Sequence, residues 1–294
     1  MIACDLGSNT LRIVEMDCQT GRRIQEFERM VKTADGLHES GRINDGAVQR
    51  IIDAIDEAKE MFDLSKAYAV TTAAVRMASN GAEVLQKIAK ETGLLFIMID
   101  AKEEARLTAF AVAWRLEKLG YHDSFMLMDL GGGSTEISCA NVSQSFDVGI
   151  VTMAQKYGSE KGVRTHLRSD LEPLVAFIQT LPKPELFVAT AGTPTTIAAF
   201  KQGLDYAHYD VEKVNGTRLS IEDLEVALER LLKMDVCERE RWVGVGRDDL
   251  IVAGVLIVKH IMIAAGFLEM LIIDDGLREG LALDKCREKQ AFSA

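Results

Sequence analysis

Asp129 stands at the end of a short apolar run, Phe125-Met126-Leu127-Met128, and is followed by Leu130, glycines at 131, 132 and 133, Ser134 and Thr135. The apolar run reads as a buried strand, and a second strand opens at Glu136. Each glycine adds to the conformational entropy lost on folding, so a cluster of them calls for a use. Glycines in a tight turn let backbone N–H groups surround an anion with no Cβ in the way. Ser134 and Thr135 add hydroxyl donors, and a carboxylate at position 129 can hold a hard cation directly or through water. The chemistry these residue types support is a phosphate cradle with Mg²⁺ beside it. A plain hairpin needs only a two-residue turn, so Gly131, Gly132 and Gly133 favour the cradle.

The pattern recurs at the N-terminus, where strand-like Ile2-Ala3-Cys4 leads into Asp5-Leu6-Gly7-Ser8-Asn9-Thr10 and a strand through Leu11, Ile13 and Val14. Asp5-Leu6-Gly7 matches Asp129-Leu130-Gly131, and Ser8 and Thr10 echo Ser134 and Thr135. Two such loops, each opening half of the chain, point to an internal duplication. Two facing halves with one phosphate loop each make a cleft that grips a polyanion from both sides.

Strand and helix signals supply a frame for these loops. Ala47–Phe62 carries Val48, Ile51, Ile52, Ile55, Ala58 and Phe62 at helical spacing, with Asn44 as its N-cap. Tyr68–Thr71 reads as a strand, Asn80 with Glu83 as a capping box, Leu94–Ile99 as a continuous apolar strand, and Lys102–Leu119 as a long helix with Glu103 and Glu104 in its first turn. In the second half, the stretch around 156–168 reads as polar, and Asp170 caps a helix that Pro182 and Pro184 stop. Leu186–Thr190 is a strand; after it Thr193 reads as an N-cap, with Pro194 at the first helical position. Ser220 with Asp223 opens another helix, Asp249–Ala265 a core helix, Met270–Ile273 a strand and Leu277–Lys285 a terminal helix. Alternating strands and helices imply an α/β protein.

Composition bounds the function. The chain has 294 residues, 48% hydrophobic and 27% charged, which is ordinary for a globular protein of one large or two medium domains. The net charge of -11 argues against a nucleic-acid scaffold. A phosphate-rich substrate must then be met by local charge, through Mg²⁺, a few arginines and backbone amides. Arg29, Lys32 and Arg42 either border the cleft or are solvated surface charges. The five cysteines are scattered, with no CxxC, and read as reduced packing residues of a cytoplasmic protein. No basic segment precedes an apolar one at the start, so no secretory leader is expected. Lys259, His260 and Glu269 interrupt the longest apolar run, Leu250–Ile273, so no membrane span is expected.

The chain resembles the exopolyphosphatase/guanosine pentaphosphate phosphohydrolase family of the actin and sugar-kinase superfamily. The matching stretches are DLGSNT from Asp5, TTAAVRMASN from Thr71, EEARL from Glu103, DLGGGSTE from Asp129, ATAGTPTT from Ala189 and GLREG from Gly276. The resemblance implies two actin-like (ribonuclease H-like) α/β domains with a cleft between them: residues 1–120 joined by a terminal helix at 281–294, and residues 121–280.

It also implies roles. Glu104 is the expected base that activates water, Arg76 a phosphate clamp, and Glu136 a second essential carboxylate on metal or water. Asp129 and Asp5, with Glu136, are the expected Mg²⁺ ligands. Gly7, Ser8, Asn9, Gly131, Gly132, Gly133, Ser134 and Thr135 are expected to hold phosphates. Gly192 and Thr193 resemble the third glycine loop, which binds phosphate or a nucleoside or only caps a helix. Arg278 is either structural or faces the cleft. The chain departs from the family at Asp100-Ala101-Lys102, where Ser-Gly usually precedes the acidic pair. The expected reaction is release of terminal phosphate from inorganic polyphosphate or guanosine pentaphosphate, by a homodimer. A sugar or acid kinase and an actin-like nucleotide switch are the competing readings. EEARL, in place of an acceptor-activating aspartate, and the small size of the chain favour hydrolysis.

Overall fold

The structure, a computed structural model, describes residues 1–291. It divides into two compact units, residues 1–111 with the chain from 275 onward, and residues 112–274. Both crossings lie earlier than Gly120 and Gly280. The first falls inside helix Ala101–Lys118, and the second falls in the loop before helix Leu277–Ala291, which belongs whole to the first unit.

The first unit is built on β1 (Ile2–Leu6), β2 (Thr10–Met16), β3 (Arg23–Met30), β4 (Tyr68–Thr71) and β5 (Phe96–Met98), in the order β3-β2-β1-β4-β5. β1, β2 and β3 form an antiparallel meander, and β4 and β5 join in parallel. Helix Asp45–Ala58 buries Val48, Ile51, Ile52 and Ile55, and Asn44 caps it by accepting from Ala47 N–H at 2.8 Å. Asn80 does not cap helix Gly81–Thr92. Its amide instead ties down Ile43, accepting from Ile43 N–H and donating to Ile43 O, each at 2.9 Å. The apolar run 94–99 is shorter as a strand than expected, because β5 lies at the sheet edge. Phe96 points inward while Leu95, at 74% exposure, and Ile97 face solvent.

Helix Leu277–Ala291 packs on β1 and β2. It runs close to helix Ala101–Lys118, where a Cβ at Gly280 would collide with the backbone of Leu107. Here the expectation of five reduced cysteines fails. Cys286, buried on this helix, forms a disulfide with Cys18 in the β2–β3 connection, Cα to Cα 5.2 Å. The other three, Cys4, Cys139 and Cys237, are free.

The second unit contains β6 (Phe125–Leu130), β7 (Thr135–Cys139), β8 (Val142–Phe146), β9 (Leu186–Thr190), β10 (Arg218–Ser220) and β11 (Glu269–Ile272), in the order β10-β11-β9-β6-β7-β8. Taken from the other edge, β8-β7-β6-β9-β11 repeats β3-β2-β1-β4-β5, with the same antiparallel meander and parallel additions. β10 is the addition, antiparallel to β11. The duplication inferred from the two loops is therefore a duplication of whole sheets, in the actin-like order. Helix Leu250–Ala264 is buried almost throughout and shares one core with Phe187, Met128 and Ile197 among others.

The polar stretch after residue 156 is helical, as Glu160–Asp170, and the next helix begins at Glu172 with Pro173 in its first turn. Asp170 does not cap it: its carboxylate accepts from Tyr157 Oη at 2.6 Å and pairs with Lys156 at 3.0 Å. Ser220 and Asp223 form the expected reciprocal capping box of helix Ile221–Lys233. Among the described residues no helix is long and apolar enough to cross a membrane.

Candidate functional site

In the second unit the hairpin register places Asp129 opposite Glu136 and Leu130 opposite Thr135. The loop between them closes with Gly131 N–H donating to Ser134 O at 2.9 Å. Gly131 O and Gly132 O then turn toward helix Ile150–Tyr157 and accept from Ile150 N–H at 3.1 Å and Val151 N–H at 2.8 Å. Among the described residues, no hydrogen bond engages the amides of Gly132, Gly133 or Ser134. The loop thus commits Gly131 O, Gly132 O and Ser134 O to the protein and leaves three consecutive amides, of Gly132, Gly133 and Ser134, for an anion. The Thr135 hydroxyl is committed inward, donating to Val148 O. Gly149 lies so close behind the loop that a Cβ there would overlap Gly132 O.

The first unit repeats this at the β1–β2 hairpin. Gly7 N–H donates to Thr10 O at 3.0 Å; Ser8 O accepts from Ala34 N–H at 2.8 Å, and Asn9 O from Val31 and Lys32 N–H, each at 2.9 Å. The amides of Ser8 and Asn9 carry no hydrogen bond among the described residues. Lys32, at the turn that holds this loop, takes a left-handed φ of 49°. Of the cations expected at the border, Arg29 pairs with Glu57 and Arg42 with Glu83.

Arg76 and Glu104 meet. Arg76, on the short helix Ala73–Met77, places Nη1 3.3 Å from Glu104 Oε2 and donates from the same nitrogen to Ile99 O at 2.9 Å. Asp100 caps the following helix by accepting from Glu103 N–H at 2.8 Å. The helix therefore starts normally in spite of the departure at 100–102. Glu103 faces outward and forms a two-point pair with Arg106, 2.8 Å at each contact, while Glu104 faces Arg76 and is nearly buried.

At the third loop the structure corrects the expected cap. The helix runs Gly192–Lys201, with Ala191 at the capping position, and the Thr193 side chain is buried against Gly254. The helix starts two residues earlier than expected, at a turn where Ala191 adopts φ 74°, ψ 179°, a conformation that favours glycine. Strain of this kind persists where surrounding structure enforces it, often beside a ligand. Any ligand contact here falls to the open helix N-terminus and Gly192, not to the Thr193 hydroxyl.

Among the described residues no three carboxylate, histidine or cysteine side chains gather into a ready cation cage. Asp5 lies in the first unit; Asp129 and Glu136 are neighbours in the second. Two adjacent carboxylates beside a phosphate loop still fit Mg²⁺, which takes one or two carboxylates and fills its remaining positions with water and phosphate oxygens. Arg278 is structural: it is buried and pairs with Glu26 at 2.9 Å and Glu279 at 2.6 Å. Gly149 and Ser145 had no motif to mark them. For Ser145 a signal existed in the tight turn at Ala140-Asn141, which sets the register that puts position 145 across from Glu136.

Residues 13–289 match the Ppx/GppA phosphatase family. Exopolyphosphatase 1 of Mycobacterium tuberculosis is 27% identical over 305 residues, covering 96% of this chain and 86% of that protein. Exopolyphosphatase 2 of the same species is 27% identical over 315 residues, covering 96% and 97%. The crystal structure of the Aquifex aeolicus family member superposes with a TM-score of 0.77 at 25% identity, over 98% of this chain and 97% of that one. Loops, sheets and sequence agree, and the chain belongs to the Ppx/GppA phosphatase family.

Proposed function

We propose that the chain hydrolyses the terminal phosphoanhydride bond of inorganic polyphosphate with Mg²⁺ as cofactor. The observation that carries this reading is the repeated loop: Ser8 O and Asn9 O in one copy and Gly131 O and Gly132 O in the other are bound by the protein, while the amides of Ser8, Asn9, Gly132, Gly133 and Ser134 carry no hydrogen bond among the described residues. A linear polyanion offers such donors many equivalent oxygens. The names of the Mycobacterium relatives support polyphosphate as the substrate.

Each group then has a task. The amides of Gly132, Gly133 and Ser134, and those of Ser8 and Asn9, bind phosphate oxygens. Asp129 and Glu136 would hold Mg²⁺, which would neutralise phosphate charge there. Glu104 orients a water and takes its proton as the oxygen attacks the terminal phosphorus. The bond to the bridging oxygen breaks, orthophosphate leaves, and the chain is shorter by one unit. Arg76, held by Ile99 O, positions the Glu104 carboxylate and stabilises charge on the transferred group.

Phosphate release from polyphosphate, measured with and without a sugar or carboxylic-acid acceptor, tests the reading. Acceptor-independent release is expected, and release only with acceptor would make the chain a kinase. Guanosine pentaphosphate in a parallel assay asks whether the same site takes a nucleotide. A homodimer completes the proposal, and light scattering that finds only monomer at high concentration removes the dimer.

A further inference from the structure

The hairpin registers align three side chains in a row across β6, β7 and β8. Asp129 is opposite Glu136, and Glu136 is opposite Ser145. Directly paired residues on antiparallel strands share a face of the sheet, so Glu136 lies between an acid and a hydroxyl. It is only 2% exposed. A carboxylate taken this far from water requires hydrogen bonds. Ser145 supplies one, its Oγ donating to Glu136 Oε1 at 2.6 Å. That distance is in the range of a charge-assisted O–H···O⁻ bond.

Resting on the reading of Glu136 as an essential carboxylate, we infer that Ser145 is its positioning residue. The terminal torsion of a glutamate is broad and roughly two-fold, so a buried carboxylate without a fixed partner samples several rotations. Ser145 selects one. The location supports this. The preceding residues of β8, Val142, Ser143 and Gln144, are exposed, whereas Ser145 begins the segment that supports the phosphate loop. In the next few residues Val148 O takes the Thr135 hydroxyl, and Gly149 abuts Gly132. Ser145 is thus the point at which an exposed strand becomes the backing of the site.

The test compares S145T, which keeps a hydroxyl, with S145V, which has the same shape without one, and with S145A. Steady-state phosphate release from polyphosphate and thermal midpoints are measured for each. S145T is expected within about threefold of the wild-type kcat. S145V and S145A are expected to lose roughly 10- to 100-fold in kcat with KM within about twofold, the usual effect of removing a residue that orients an active-site group. Both variants should remain folded at the assay temperature, with S145V melting below S145T because it leaves the buried Glu136 carboxylate short of one hydrogen bond. Equal kcat for S145T and S145V, or a loss carried by KM, overturns the inference while leaving the proposed function standing. If S145V does not fold, the same comparison is made between S145A and S145T, and equal kcat there overturns the inference. A wild-type chain that releases no phosphate overturns both.

Discussion

Arg76 and Glu104, 28 residues apart in sequence, form an ion pair at 3.3 Å, and the same guanidinium nitrogen binds Ile99 O. The neighbouring acid, Glu103, is turned the other way and paired with Arg106. The two glutamates of EEARL are therefore distinguishable by experiment. Glu104→Gln should lose roughly 10²- to 10⁴-fold in kcat, the range of general-base assistance, with KM little changed. Glu103→Gln should cost little activity. Arg76→Ala should impair both KM and kcat if Arg76 acts as proposed, as a phosphate partner that also positions the Glu104 carboxylate. Near-normal turnover in Glu104→Gln, or a dead Glu103→Gln, moves the base elsewhere.

Metal removal gives the second test. Asp129 and Glu136 are adjacent in the hairpin register, and in the proposed function they hold a cation that favours oxygen ligands. Excess chelator should abolish phosphate release, and added Mg²⁺ should restore it. Full activity in chelator removes Mg²⁺ from the mechanism.

The third prediction concerns the back of the loop. Gly149 is in extended backbone, φ −135° and ψ 171°, which any residue adopts, so space alone requires glycine there. A methyl group would press on Gly132 O. Gly149→Ala should therefore displace the loop and lower kcat/KM by at least about tenfold, since small misplacements of positioning groups are costly. Wild-type kcat/KM in this variant would show that the loop tolerates displacement.

The buried network of the first unit makes stability depend on acid. Burial pushes the Glu279 carboxyl up, but Arg278, Arg23 and the Gly276 amide outweigh it and hold the group at about 2, against an ordinary value of 4.5. A carboxyl depressed in the folded state stabilises the fold fully above its unfolded value. That contribution is lost as pH falls from about 4.5 through about 2. Thermal midpoints should decline across this window, and Glu279→Gln should flatten that decline. An unchanged acid slope in the variant assigns the loss to other carboxylates.

Thiol labelling checks the disulfide. Burial, and then the adjacent Asp5 carboxylate, push the Cys4 thiol up to about 12, and burial also raises Cys139. In the native protein only exposed Cys237 should react readily. Denatured without reductant, the chain should take three labels, its five cysteines less the two in the bond. Five labels without reductant would show that Cys18 and Cys286 are reduced.

What is legible in the sequence is what is local. The glycine loops, their duplication and the capping at Asn44 and Ser220 are set within a few residues, and the structure has each of them. The family stretches extend this to the fold class. Features that depend on distant partners are not legible. Asn80 looks like a cap and binds Ile43 instead, because a side-chain amide satisfies whichever backbone groups tertiary packing brings to it. The apolar run at 94–99 promises a buried strand, but whether a strand is central or at an edge is a property of the sheet. Thr193 sits where a cap is usual, yet Gly254 of another helix claims its side chain. Ser145 reaches Glu136 through strand register, and Cys18 reaches Cys286 across 268 residues.

That last bond changes the connectivity of the molecule. Residues 112–274 lie wholly between Cys18 and Cys286 along the chain, so the second unit is carried inside a closed covalent ring. A single proteolytic nick anywhere between these cysteines opens the ring without dividing the polypeptide into separable pieces. Such a nicked protein should run as one species without reductant and as two fragments with it. The same closure means that the two ends of the second unit stay tethered when it unfolds. Its unfolded chain is shorter in reach, and less favoured by entropy, than a free segment of equal length.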